Sequence, residues 1–237
     1  MRFSLSRALA GAFAVGGLTL AGLGTAAGAA ATAKGTVQSA IVATESATAV
    51  KFAGSITEKG TTISLNVSAS ASGTGQGTIG IGKGIATVRS VGGIVYFKAN
   101  TAFWTQEGGA KTAQEFSGKW VSTAATSSSG TSLSAFLNST SFMKQVFGSK
   151  LTNSVFAFAG AGRVGGKRTT IISGHDHKNK SGGKLYIARS GKPYILRILI
   201  NGKSGTGQIT FSNYNQPVTP AVPPGAIDLD TLSQSGG

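Results

Sequence analysis

The residues most suited to chemistry form one short segment, His175-Asp176-His177. On a strand the two imidazoles share one face and Asp176 points to the other. Two imidazoles at this spacing can bind a metal ion if a third ligand comes from elsewhere. The basic, polar segment 178–182 follows and would repel a cation. We therefore predict a solvated strand end that enters a hairpin, with a pH-sensitive surface contact as a further use.

A second candidate is the glycine-rich segment 77–83, which reads Gly-Thr-Ile-Gly-Ile-Gly-Lys and nearly matches a phosphate-binding loop. The position after Lys83 is Gly84, where such a loop needs Ser or Thr to reach magnesium. The flanking residues predict strands, whereas a phosphate-binding loop leads from a strand into a helix. We predict a hairpin rich in turn glycines and no nucleotide cofactor.

Catalytic groups of other kinds are scarce. The sequence has no cysteine, which excludes disulfides, zinc–cysteine sites, iron–sulfur clusters and thiol nucleophiles. It has no Gly-x-Ser-x-Gly elbow. Glu107 and Glu115 lie in one stretch, but nothing places them as the facing pair of a glycosidase. We expect no catalytic residue, no metal and no cofactor, and hence a protein that is not an enzyme.

The N-terminus has the pattern of an export signal, assigned to residues 1–33. Arg2 and Arg7 precede an uncharged apolar stretch, 8–23, which is short and glycine-rich for a membrane span. Ala-x-Ala cleavage sites follow at Ala27-Gly28-Ala29 and Ala31-Thr32-Ala33. We expect cleavage, and therefore no transmembrane span in the mature protein; an uncleaved anchor is the alternative.

The body of the chain predicts an antiparallel meander, because short alternating runs are separated by glycine-containing turns. The clearest alternation is Ile63, Leu65 and Val67. Turn signals include Gly92-Gly93, Ser181-Gly182-Gly183 and Asn201-Gly202. Nine strands are predicted, near residues 62–68, 78–82, 85–91, 94–99, 155–159, 168–175, 184–189, 194–200 and 208–212.

Helical spacing interrupts this meander. A helix is expected over 133–137, with Ser132 as its N-cap, and a second over 142–147. A short helix is also predicted within 34–49. The absence of β-α-β alternation argues against a parallel sheet. The sequence therefore predicts one domain, 34–213, and a proline-rich extended C-terminal tail, 214–237, that frays at its end.

Positive charge is concentrated in the second half of the domain. The formal charge is +15, and twelve of the 22 basic residues fall in 144–203. Anionic lipid headgroups or wall polymers fit an exported protein, and a solvated face is the simplest alternative. Nucleic acid is not expected, since no stacking motif is present.

Four further segments carry a resemblance. Residues 92–100 read Gly-Gly-Ile-Val-Tyr-Phe-Lys-Ala-Asn, then come Phe103-Trp104 and Gly118-Lys119-Trp120-Val121, and Phe211-Ser212-Asn213-Tyr214 precedes a proline-rich end. In this order the segments resemble the mycobacterial LppX/LprAFG lipoprotein family. The similarity covers most of 50–229.

The resemblance implies a mainly β (α+β), LolA/LolB-like fold. Its strongly curved antiparallel sheet forms an unclosed half-barrel with helices on the concave side, and an apolar cavity there holds acyl chains of envelope lipids. Two departures matter. The cysteine of the lipobox is missing, so we expect a secreted or envelope protein that is not lipid-anchored through cysteine. The region before Lys51 is short for the N-terminal helix of such proteins.

Two main functions follow, and a hydrolase whose catalytic groups the sequence does not identify is a third, weaker alternative. The first is an exported, non-catalytic lipid-binding or lipid-carrier protein, whose partner is an acylated lipid or glycolipid. The second is a non-catalytic surface or wall-interaction protein, with a filled core and a basic face that binds anionic polymer or a partner protein. Strand parity and helix faces select the candidate cavity residues: Ile63, Leu65, Val67, Val95, Phe97, Trp104, Trp120, Phe136, Phe142, Val146, Phe156 and Phe158.

Overall fold

A computed structural model gives the structure, which describes residues 31–128, 130–147, 154–176, 181–202 and 205–234. These ranges contain five helices: α1 (Ala33–Glu45), α2 (Thr101–Phe116), α3 (Gly130–Leu137), α4 (Ser139–Phe147) and α5 (Leu229–Gln234). The predicted export signal lies outside the described residues, apart from 31–33.

The same ranges contain twelve strands in one sheet. They are β1 (Ala49–Glu58), β2 (Thr61–Ser70), β3 (Gly75–Ile81), β4 (Gly84–Val91), β5 (Ile94–Ala99), β6 (Trp120–Ala124), β7 (Ser154–Val164), β8 (Lys167–Asp176), β9 (Ser181–Ala188), β10 (Ile195–Gly202), β11 (Gly205–Ser212) and β12 (Ile227–Asp228). The order across the sheet is β12-β6-β5-β4-β3-β2-β1-β11-β10-β9-β8-β7. All neighbours are antiparallel except β12 and β6.

The sheet consists of two meanders, a first half (β1–β6) and a second half (β7–β11), joined where β1 pairs with β11. β7 and β12 are the two edges, so the sheet does not close into a barrel. The helices lie against one face, which is the concave face. The predicted mainly β, unclosed half-barrel is confirmed.

Two glycines make the junction between the halves possible. Gly54 and Gly207 have φ of +157° and +156°, values that favour glycine. A Cβ on Gly54 would lie 2.0 Å from the carbonyl oxygen of Gln208, and one on Gly207 would lie 2.1 Å from that of Ser55. The backbones of β1 and β11 therefore approach each other more closely than any other residue type would allow.

Aromatic side chains fill the space between the first half and its helices. Phe52 of β1 stacks on Phe142 of α4, with ring centroids 3.9 Å apart. Phe97 of β5 stacks on Trp104 of α2 at 5.4 Å. All four side chains are almost completely buried. A kink at Gly109, with φ of +82°, divides α2 into two segments.

Helix α1 covers part of the concave face of the second half, where it contacts β7, β9 and β10. The Thr32 side chain caps it by accepting from the Gly35 amide at 3.1 Å. Near its end, the Thr44 hydroxyl accepts from the Ile195 amide of β10 at 3.0 Å. The short helix predicted within 34–49 is confirmed as α1, whose thirteen residues all lie before Lys51.

The segment after β11, residues 213–234, is a C-terminal arm. It runs from the middle of the sheet to the edge that β12 forms. The Tyr214 hydroxyl donates to the Ile195 carbonyl, and its ring stacks on Tyr194 at 4.1 Å. Burial is the main reason that the pKa of Tyr214 lies above its usual range. At the far end, Asp230 accepts from the Thr123 hydroxyl at 2.8 Å and the Ala124 amide at 2.7 Å. The predicted extended tail thus ends in β12 and α5.

All nine predicted strands and both helices of the helical interlude are present. β1, β6 and β12 are additional strands. Two predicted turns are wrong: Ser181-Gly182-Gly183 lies within β9 and Asn201-Gly202 ends β10. The pairing of β10 with β11 extends to Gly202 opposite Gly205. α3 begins at Gly130, so Ser132 is helical and is not the N-cap.

Candidate functional site

Within the described residues, the two segments that the sequence singles out for possible chemistry, 175–177 and 77–83, do not form a reactive centre. His175 and Asp176 end β8, His175 is exposed, and His177 lies outside the described residues. No group of three or more His, Cys, Asp or Glu side chains within the described ranges could hold a metal ion. Residues 77–83 form the β3–β4 hairpin that the sequence predicts.

Most of the predicted cavity residues form a packed core. Nine of the twelve have exposed fractions of 9% or less: Ile63, Leu65, Val67, Val95, Phe97, Trp104, Phe136, Phe142 and Val146. They come from β2, β5, α2, α3 and α4, which all belong to the first half and its helices. The structure brings these nine side chains together as mutual packing partners. Contact of these residues with a ligand stays a prediction.

Trp120 occupies a different face. Val121, the next residue in β6, pairs with Phe97 on the concave face, so strand alternation turns Trp120 to the convex face. There its ring is half-buried, and the Arg89 guanidinium lies 5.0 Å from the ring centroid. The expectation that Trp120 points toward the helices is therefore corrected.

The remaining two candidates, Phe156 and Phe158, lie in the edge strand β7. Phe158 pairs with Ile172, whose side chain is completely buried in the core, so both belong to the concave face. Phe158 is nevertheless 54% exposed and Phe156 is half-buried. The second half is thus less completely covered than the first.

Leu185 of β9 and Ile200 of β10 extend this partly exposed surface across the sheet. Leu185 pairs with Ile172 and Ile198, and Ile200 pairs with Gly183, so both side chains are on the concave face. Each is half-buried at the margin of the core. We call the four side chains together the open concave patch: Phe156, Phe158, Leu185 and Ile200.

Glycines form the floor beside this patch. The concave-face row that contains Phe156 and Ile200 also contains Gly174, Gly183 and Gly207. A Cβ on Gly174 would lie 2.9 Å from the Phe156 ring, so the missing side chain leaves room for that ring. In this row bare backbone replaces side chains that would otherwise fill the concave space.

Exposed cations surround the second half. Of the basic residues in 144–203, those that the structure describes as exposed are Lys144, Arg163, Lys167, Arg168, Lys184, Arg189 and Lys192. Burial raises the pKa of Glu45 in α1, while the nearby Lys144 ammonium partly opposes that effect. Except for Lys144 in α4, these basic residues belong to the same half of the sheet as the apolar patch.

Sequence reasoning missed Leu185 and Ile200. Both lie in short alternating runs, and their parity with Ile172 and Ile198 could have placed them on the concave face. The clearest signal is that glycine and large apolar residues share one parity, as in Gly183, Leu185 and Ile187 and in Ile198, Ile200 and Gly202. Because glycines are also typical of turns, these segments predict turns instead of concave-face positions.

None of the helices within the described residues is long and apolar enough to span a membrane. No protein-family model matches the sequence, and no curated protein matches it.

Solved structures do match. The crystal structure of lipoprotein LppX from Mycobacterium tuberculosis is 20% identical, and the match covers 78% of this chain and 96% of LppX at a TM-score of 0.50. LprF from Mycobacterium bovis is 16% identical, with 81% and 96% of the two chains covered and a TM-score of 0.52. The order of the quoted motifs and the unclosed sheet agree with this likeness. The chain therefore has the fold of the mycobacterial lipoproteins LppX and LprF.

Proposed function

We propose that this chain is an exported, non-catalytic carrier that binds the acyl chains of an envelope lipid or glycolipid. The observation that supports it is the open concave patch, where large apolar side chains remain partly exposed under the helices. Burying such side chains under an acyl chain is favourable, at about 25 cal/mol per Å² of apolar surface. The patch and its glycine floor provide a surface without polar side chains in its central rows.

The Phe158 side chain offers the simplest test of acyl-chain binding. We expect Phe158→Glu to weaken binding of a fluorescent long-chain fatty acid by about tenfold or more, because a carboxylate would face the acyl chain. Since Phe158 is 54% exposed, the substitution should leave the fold intact. Titration followed by fluorescence gives the Kd of each protein.

Ile85→Glu is the matched control. Ile85 is 49% exposed but lies in β4, on the convex face of the first half. The Kd of the Ile85→Glu variant for the fluorescent fatty acid should equal that of the wild type. Equal Kd values for both variants would place binding elsewhere, and no binding by the wild type, together with no lipid in native mass spectra, would contradict the proposed function.

The second function, a wall-interaction protein, is favoured by the filled first half and by the exposed cations of the second. In that case adhesion to anionic wall polymer should fall steeply between about 50 and 500 mM salt, because such contacts are screened. Lipid binding through apolar contacts should not weaken with salt. Measuring both in one salt series separates the two functions.

The N-terminus of α1 favours one of the two predicted cleavage sites of the export signal. Cleavage after Ala33 would remove the Thr32 side chain that caps α1, and loss of such a cap costs about 1 kcal/mol. It would also remove Ala33, which is buried. We therefore expect cleavage after Ala29, so that Edman sequencing of exported protein starts at Ala30. A first residue of Lys34 would contradict this expectation.

A further inference from the structure

Glu58, the last residue of β1, has an unusual environment for a carboxyl group. Its side chain is on the concave face, two residues beyond Ile56 in the same strand. It is 9% exposed, and its Oε2 atom is buried without a hydrogen-bond partner. A buried polar atom without a partner is costly, so a native fold that retains one calls for an explanation.

No described residue donates a hydrogen bond to the Glu58 Oε2 atom. Its neighbour across the β1–β11 pair is Gly205, where a Cβ would lie 3.7 Å from the Glu58 Cβ and 3.4 Å from the Ile56 Cγ2. Gly202 follows in β10, opposite Gly205. Lys59 lies in the adjacent turn and is exposed. The Glu58 side chain therefore borders Gly205 and Ile56, and across β2 it faces Thr61, whose hydroxyl makes no hydrogen bond to the Oε2 atom.

Glu58 is close to the open concave patch. Ile200 lies two strands away and one concave-face position further from the end of the sheet. With strands about 4.8 Å apart and about 3.3 Å per residue, their Cα atoms are separated by about 12 Å along the sheet. An acyl chain on the patch that ends at this edge would bring its headgroup within reach of Glu58.

We propose that Glu58 accepts a hydrogen bond from the headgroup of the bound lipid, and that this headgroup carries an O–H or N–H donor. The inference rests on the proposed function and adds the headgroup chemistry. A hydroxyl or an ammonium group satisfies the carboxylate oxygen, whereas a headgroup that offers only acceptors leaves it unpaired. The Glu58 carboxylate thus selects lipids by their headgroup, which lies outside the apolar patch.

The test uses three fluorescent diacyl probes with identical acyl chains: a diacylglycerol with one free hydroxyl, its O-acetyl ester, and an amino analogue with an ammonium group. We expect the mature wild-type chain to bind the hydroxyl or the ammonium probe about tenfold more tightly than the acetyl ester. The stronger of the two identifies the donor.

Two substitutions of Glu58 link this preference to its carboxylate. Glu58→Leu should bring the affinity ratio to about one, with little change in the Kd of the acetyl ester. It should also raise Tm by about 3 °C, because a buried oxygen without a partner is removed. Glu58→Gln keeps an acceptor and should retain part of the preference for the hydroxyl probe. Glu115→Leu, on the exposed side of α2, should retain the wild-type ratio and is the control.

The outcomes separate the inference from the proposed function. If the wild type binds all three probes equally, or if Glu58→Leu retains the preference, the headgroup inference is overturned while acyl-chain binding stands. If no probe binds, the proposed function fails and the inference fails with it. A lower Tm in Glu58→Leu would show that Glu58 has a structural role and would also overturn the inference.

Discussion

Substitution of either junction glycine, Gly54→Ala or Gly207→Ala, is expected to lower the free energy of unfolding by about 4 kcal/mol or more. Each new Cβ would lie about 2 Å from a carbonyl oxygen of the neighbouring strand. The obstacle is backbone, which a rotamer change cannot move. Each residue also has a φ near +157°, which alanine rarely adopts. Urea denaturation measures the effect through the midpoint and the slope.

Gly92→Asn is the control for the positive φ alone. Gly92 has φ of +59°, and a Cβ added there would have no other atom within 4 Å. Because asparagine tolerates this conformation, the loss should be about 1 kcal/mol or less. If Gly54→Ala or Gly207→Ala cost no more than this control, the close approach of β1 and β11 would be contradicted.

Truncation of Phe142 in α4 is expected to be the second large effect. Phe142→Ala should cost about 3–5 kcal/mol, because the side chain is 1% exposed and stacks on Phe52 at 3.9 Å. Its ring also lies 6.2 Å from the Phe136 ring, so the cavity left behind would border several aromatic groups. Chemical denaturation gives the change in the free energy of unfolding.

Phe158→Ala is the matched control, because it removes the same ring from a site that is 54% exposed. We expect it to cost less than about 1 kcal/mol. A double-mutant cycle of Phe52→Ala and Phe142→Ala should also reveal a coupling energy of about 1 kcal/mol. Equal costs at Phe142 and Phe158 would contradict the contrast between a filled first half and an open second half.

The sequence predicted most of the strands because their alternation is local. Ile63, Leu65 and Val67 specify β2 by themselves, and each sits on the concave face. β1 has a weaker local pattern, since Gly54 and Ser55 interrupt its alternation at the place where the strand pairs with β11. That pairing joins residues far apart in the chain, and no local pattern reports it.

The candidate site could be predicted less well, because it depends on which side chains the helices cover. Phe97 and Phe156 have the same sequence signal, an aromatic residue in an alternating run. Phe97 lies under α2 and is completely buried, whereas Phe156 lies in an edge strand and is half-buried. Trp120 shows a related limit, because the pairing of Val121 with Phe97, two residues from different parts of the chain, determines which face Trp120 occupies.

The positive charge is distributed unevenly between the two halves of the sheet. Six exposed basic residues belong to the half that carries the open concave patch: Arg163, Lys167, Arg168, Lys184, Arg189 and Lys192. Surface cations near an apolar site would attract an anionic membrane and bring its lipids close. Such attraction would raise the rate of association with the membrane, whereas the affinity for the lipid would come from the apolar contacts.

Photocrosslinking with a diazirine fatty acid, followed by peptide mass spectrometry, tests the central claim most directly. Acyl-chain binding on the open concave patch predicts labels in β7, β9 and β10, near Phe156, Phe158, Leu185 and Ile200. Excess unlabelled fatty acid should suppress these labels. Suppressible labels confined to the first half, or no suppressible label at all, would contradict the claim.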